Sequence, residues 1–111
     1  MSATFTLKRG DTWSQSFTWR QGSESGDPVD LTDCTARMQV RTRSDDLILD
    51  CTPFLTVDGP AGTVAVLVPA SETEAFPVAK TQFDIELTFP DGTVQSTETM
   101  TLRVLEDVTL P

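Results

Sequence analysis

The chain has 111 residues, eight basic against seventeen acidic and no histidine or tyrosine, giving a formal net charge of −9. A field of that sign repels phosphate backbones and anionic lipid surfaces, so neither nucleic acid nor membrane is an expected partner. Without histidine the commonest general base is missing, and no apolar run approaches the roughly 20 residues of a membrane span.

One core is expected, in a single domain over residues 1–111. The N-terminus alternates and carries its positive charge, Lys8 and Arg9, after its apolar residues, unlike a secretory signal; a soluble protein made in the cytoplasm is expected. Thr4 to Lys8 reads as a short first strand, broken at Arg9-Gly10-Asp11, an adhesion tripeptide in spelling but a turn in context. A second strand places Trp13, Phe17 and Trp19 on one face and Thr12, Ser14, Ser16 and Thr18 on the other. Gln15 interrupts the inward row, which marks a sheet margin or a partner contact. Gln21 to Asp30 has the Gly, Ser, Asp and Pro content of a mobile loop.

Cys34 to Arg41 alternates again, with Thr35, Arg37, Gln39 and Arg41 toward water. Ser44-Asp45-Asp46 reads as a turn into a strand over Leu47 to Thr52. Asp58 to Gly62 is a second turn, and the nearly all-apolar run Thr63 to Val68 is expected to be covered on both faces or to face a neighbour. Ser71 to Glu74 matches a capping box with Ser71 as N-cap, and Pro77 limits it to one short helix near Ser71–Ala75. Phe83, Ile85, Leu87 and Phe89 then alternate with polar residues. After Pro90-Asp91-Gly92-Thr93, a return strand sets Val94, Met100, Leu102 and Val104 on one face. The pattern predicts a single antiparallel β-sandwich, Ig-like, of about seven strands with one short helix. Trp19, Met38, Val64, Val66, Ile85, Leu87, Met100 and Leu102 are expected in its core.

Cys34 and Cys51 both fall on inward rows. If Cys51 lies opposite Met38, about four residues separate it from Cys34 along the strand, beyond disulfide reach. Two free, buried thiols are expected.

The chemical inventory is sparse. No nucleophile elbow, S-x-x-K pair, phosphate loop or dinucleotide fingerprint is present. Asp45 with Asp46, and Glu24 with Asp27, lack the spacing of a calcium loop, and two cysteines without histidine make no Cys₂His₂ zinc site. Asp84 and Glu86 lie about 7 Å apart on one strand face but without a sugar-lined cleft. No catalytic, metal or cofactor residue is assigned. The candidate partner contacts are the arginine strip Arg37, Arg41 and Arg43, with Gln21, Ser23 and Glu24 of the polar loop.

Three segments in register add a resemblance. Val29–Arg41 (VDLTDCTARMQVR), Ala61–Pro77 (AGTVAVLVPASETEAFP) and Phe83–Gln95 (FDIELTFPDGTVQ) resemble small β-domain proteins encoded among tail and baseplate genes of tailed bacteriophages and prophages. That group is similar to the N-terminal domain of the upper baseplate protein of lactococcal phages. The shared strand opening falls here on Asp30, Leu31, Thr32, Thr35, Ala36, Met38, Gln39 and Arg41. The Gly-Thr strand running into a short helix falls on Gly62, Thr63, Val64, Ser71, Glu72 and Thr73, and the final hairpin on Phe83 to Thr88 with Asp91 and Gly92. The last strand departs from the group, ending Met100-Thr-Leu-Arg-Val-Leu-Glu-Asp107 where a Gly, T-V-x-V and Pro are usual. The resemblance implies a non-enzymatic virion component of the tail region, made in the bacterial host cytoplasm. It would dock other virion or tail proteins, with a homo-oligomeric ring as one arrangement. Two other classes stay open: a carbohydrate-binding module using Trp13 and Trp19, and an acidic inhibitor of a host DNA-binding enzyme.

Overall fold

Alternating sequences bury one face per strand, and two such faces closed on each other make a sandwich. The computed structural model describes residues 3–22 and 26–108. Its strands are β1 (Thr4–Lys8), β2 (Trp13–Thr18), β3 (Thr35–Thr42), β4 (Leu47–Asp50), β5 (Leu55–Asp58), β6 (Thr63–Val68), β7 (Lys80–Thr88), β8 (Val94–Ser96) and β9 (Met100–Leu105). One helical turn, α1 (Ala70–Thr73), joins β6 to β7. The larger sheet runs β1-β9-β7-β3-β4, with β8 on the upper half of β7; the smaller runs β2-β6-β5. All pairings are antiparallel except β1 with β9, because the turn after Lys8 sends the chain into the opposite sheet and leaves β1 beside the last strand.

The larger sheet contributes Met38, Val40, Ile85, Leu87, Leu102 and Val104 to the core, and the smaller one Trp13, Val64, Val66 and Val68. Phe83 anchors an aromatic cluster, its ring 5.3 Å from Trp13, 5.9 Å from Phe5 and 6.1 Å from Phe17. Met38, Val64, Val66, Ile85, Leu87, Met100 and Leu102 are buried as expected. Trp19 is half-buried instead: β2 ends at Thr18, and Trp19 sits at the open rim between the sheets. β6 is not covered on both faces, since Val64, Val66 and Val68 are buried while Leu67 is 58% exposed.

Three local expectations shift. The turn after β3 is centred on Arg43 and Ser44, with the Asp45 N–H bonded to the Thr42 carbonyl at 2.9 Å and Asp45 in the left-handed region at φ 72°. The capping box does not form: Pro69, extended at φ −67°, is the N-cap, so α1 starts one residue earlier and Ser71 is already inside it. The Thr73 hydroxyl, buried in that turn, instead donates to the Asp11 carbonyl at 2.7 Å and ties α1 to the β1–β2 connection. The segment Leu55–Asp58, unread in the sequence, is a strand of its own after a 3₁₀ turn at Thr52–Phe54.

The return strand holds the largest difference. Leu87 pairs with Gln95 but Phe83 pairs with Met100, so the register slips by one residue between β8 and β9. A one-residue slip exchanges the faces. Val94 therefore lies opposite outward-facing Thr88 and is 54% exposed, whereas Met100, Leu102 and Val104 are buried. Thr97 fills the break: its N–H donates to the Ile85 carbonyl at 2.9 Å and its hydroxyl accepts the Ile85 N–H at 3.0 Å. Thr52 does the same for the Met38 N–H at 3.2 Å where β4 stops.

Candidate functional site

The outward row of β3 presents Arg37, Gln39 and Arg41, and the turn beyond it presents Arg43. Each member of that row has a partner on the outward row of β7: Arg37 faces Glu86, Gln39 faces Asp84 and Arg41 faces Gln82. Arg37 Nη1 lies 3.5 Å from Glu86 Oε1, with both side chains well exposed, an arrangement that contributes little to stability. Arg41 is held more firmly. Its Nη2 donates to Gln39 Oε1 at 2.7 Å and its Nη1 to the Asp45 carbonyl at 3.0 Å. Arg43 is exposed at the turn. The strip is thus a row of cations laced with carboxylates rather than a uniform basic patch.

A polar hollow of about 300 Å³ opens on this face, lined by Gln39, Arg41, Asp45, Gln82, Phe83, Asp84 and Thr99. It lies where β7 loses its ladder partner at the register slip. Apart from Phe83 its groups are hydrogen-bonding side chains, charged ones of both signs among them, suited to a polar surface. Among the described residues no three Cys, Asp or Glu side chains come together as a metal site.

Gln21 lies elsewhere. Its N–H donates to the Asp27 carbonyl at 2.9 Å, Arg20 bridges to Pro28, and the Val29 N–H donates to the Trp19 carbonyl at 2.8 Å. Both flanks of the polar loop therefore continue the β2 ladder instead of leaving the fold; Ser23 and Glu24 lie outside the described residues. The loop is anchored at the end of the sandwich where β3 begins, through the Leu31 N–H on the Gly59 carbonyl at 2.8 Å. Arg43 is at the other end of β3, about 25 Å of strand away. The structure gathers Arg37 and Arg41 on one face, with Arg43 beyond them, and separates Gln21 from Arg43.

The loop end is acidic. Asp30, Asp33 and Asp91 surround Cys34, whose thiol is pushed up first by burial and then by those three charges. Asp30, Asp50 and Asp91 are each held below the usual carboxylate range by hydrogen bonds from the threonine two residues on, Thr32, Thr52 and Thr93. This Asp-x-Thr turn, repeated at three junctions, is a local signal that the sequence carries. Cys51 is buried opposite Met38, its N–H on the Met38 carbonyl at 2.8 Å, and its thiol is pushed up to about 12 mainly by burial. Both cysteines are free.

A second depression, of about 500 Å³, runs along the open rim between the sheets, lined by Phe17, Trp19, Arg20, Thr97, Glu98 and Met100 with their neighbours. Trp13 is absent from it because its indole is core, 3% exposed. No helix among the described residues is long and apolar enough to cross a membrane.

Solved structures that share this architecture include the following two. CopC from Methylosinus trichosporium OB3b superposes with a TM-score of 0.59 at 10% identity, covering 99% of this chain and 91% of its own. The N-terminal domain of ORF48 of phage TP901-1 does so with a TM-score of 0.58 at 17% identity, covering 93% of this chain and 85% of its own. At such identities the likeness is one of fold. Among curated proteins, none matches the sequence. The family model described as LtfC-like, β-sandwich domain, matches residues 2–106, nearly the whole sandwich, and the chain belongs to that family.

Proposed function

We propose that this chain is a non-enzymatic structural protein of a bacteriophage or prophage virion, a tail, baseplate or fibre-adaptor component that works through protein–protein contacts. The observation that carries the reading is the coincidence of sequence and fold. The three phage-like segments fall on β3, on β6 with α1, and on the β7–β8 hairpin of a sandwich that also resembles the N-terminal domain of phage TP901-1 ORF48. The strand order supports the Ig-like description: β2-β6-β5 against β9-β7-β3-β4 follows the B-E-D and G-F-C-C′ order of immunoglobulin variable-type sandwiches. Such modules offer edge strands and end loops as docking surface, and repetition in an assembly multiplies weak contacts.

The proposed partner is another tail protein, met by the outward face of β3 and by the loop end. These are separate surfaces on a body 44 Å long, so they fit two neighbours better than one. Arg41→Glu with Arg43→Glu tests the first surface in purified particles. Reduced incorporation of a folded variant supports the reading; normal stoichiometry removes the strip from the site. Absence of the wild-type chain from particles of its own phage refutes the structural reading itself.

The carbohydrate alternative loses Trp13 to the core and rests on Trp19 and Phe17 at the rim depression. Specific binding of host polysaccharide, abolished by Trp19→Ala in a folded protein, would put it first.

A further inference from the structure

Five described strands have an open side: β1, β4, β2 and β5 at the ends of the two sheets, and β8, which pairs with β7 alone. Exposed edges template pairing with other chains, and proteins normally guard them with charge, proline, bulges or shortness. Four of these edges are guarded. β1 ends in Lys8-Arg9; β4 is four residues long, follows Asp45-Asp46 and is itself bulged at Ile48; β5 is equally short, between Pro53 and Pro60; β8 has only three residues. β2 has none of these devices. From Thr12 to Trp19 it carries no charge and no proline, and its register with β6 is unbroken.

The ladder fixes which backbone groups are open. The Trp19 N–H donates to the Gly62 carbonyl at 2.8 Å, continuing the pairing Phe17↔Val64 and Gln15↔Val66, so odd-numbered residues exchange hydrogen bonds with β6. The N–H and C=O of Ser14, Ser16 and Thr18 point the other way, where no described strand pairs with them.

We infer that β2 is a docking edge for a second copy of this chain, the two strands pairing antiparallel about a twofold axis through Gln15. The strand is complementary to itself in that sense alone. It begins after exposed Asp11 and ends before exposed Arg20, so antiparallel pairing sets the acidic end of each copy beside the basic end of the other. The axis also accounts for Gln15, the one polar residue in an inward row with Trp13 and Phe17. Its backbone is bonded to β6, so across the axis it forms a non-hydrogen-bonded pair with its copy, Cα atoms about 4.5 Å apart and the two amides within reach of each other. Ser14 then meets Ser16 of the other copy, pairing the open backbone groups.

Sedimentation velocity of the full chain over a concentration series tests this, and a reversible dimer is expected. Ser16→Pro removes an N–H that β6 does not use, and Gln15→Lys sets two ammonium groups across the axis. Each should keep the strand spectrum and thermal midpoint while raising the dimer dissociation constant at least about tenfold, or about 1.4 kcal/mol. Gln15→Cys should give one disulfide-linked dimer on mild oxidation, the native thiols being buried. A wild type that stays monomeric overturns the proposal and leaves the edge to a foreign strand. A dimer indifferent to both substitutions, or a Gln15→Cys protein that does not cross-link, overturns it equally.

Discussion

Two glycines of the β5–β6 turn and one of the β7–β8 turn allow steric and conformational strain to be separated. Gly62 has φ +67°, and a Cβ there would lie 2.5 Å from the Val29 carbonyl oxygen. Gly92 has φ +90° with open space around it, and Gly59 has no such φ but would place its Cβ 2.7 Å from Thr32 Cα. An L-residue in the left-handed region costs about 1–2 kcal/mol, of which roughly 0.4–1 is returned by a less flexible unfolded chain. Gly92→Ala should therefore cost about 1 kcal/mol. Backbone overpacking adds about 1–3 kcal/mol, so Gly62→Ala should cost about 2–4 kcal/mol, and Gly59→Ala, with overpacking less the same return, about 0–2.5 kcal/mol. Thermal unfolding followed by circular dichroism reads this as midpoint losses of about 4 °C for Gly92→Ala and about 8–16 °C for Gly62→Ala. The rise at Gly62 has a structural cause: its carbonyl accepts the Trp19 N–H and its neighbour Val29 donates to Trp19, so three segments must shift together. Equal losses at Gly62 and Gly92 would refute the argument, since the loop end would then be soft enough to absorb a methyl group.

Ile85→Ala and Leu102→Ala, both fully buried, should each cost about 2–5 kcal/mol by urea denaturation with an unchanged m-value. Thiol titration should count two thiols after denaturation without reductant and almost none before it, both cysteines being buried. The Cys51 thiol keeps its proton in the fold up to about 12 but loses it near 9 when unfolded, so stability is intact below pH 9 and falls as pH rises from there toward 12. Cys51→Ala should flatten that decline. Arg37→Ala should change stability by less than about 0.5 kcal/mol, the Glu86 pair being exposed on both sides; a larger loss would show the pair to be structural. Val94→Lys should be neutral within about 0.5 kcal/mol, whereas Met100→Lys should unfold much of the population, a contrast that disappears if the return strand runs without its slip.

The faces of β1, β2, β3 and β7 were legible because each is long enough to alternate against a single neighbour face. β5 was not: between Pro53 and Pro60 only Leu55 and Val57 alternate, too short a run to separate a strand from a loop. The slip between β8 and β9 was hidden for a different reason. Gln95 to Thr99 is polar at every position, so both parities read alike and the even-numbered row from Val94 to Val104 looks continuous. Only the pairing partners reveal that Val94 and Met100 face opposite ways. The capping box failed because Pro69 already supplies an extended N-cap, a constraint on φ that outweighs the Ser-x-x-Glu spelling.

The candidate contacts divide along the same line between local and cross-strand information. A sequence shows that Arg37, Gln39 and Arg41 share a face, since that needs only the period of one strand. It does not show that Glu86, Asp84 and Gln82 stand opposite them, because register is fixed by pairing with residues more than forty positions away. Charge read along one strand therefore overstates the patch, and charge read across the sheet corrects it. Gln15 works in the opposite direction. Its anomaly is local, a polar residue in an inward row, and was visible at once. Its meaning required knowing that β2 has β6 on one side and an open ladder on the other. A polar residue placed inward between two paired strands must find its hydrogen bonds inside the core; at the margin of an open ladder its amide can be met by water or, on the pairing proposed above, by its own copy.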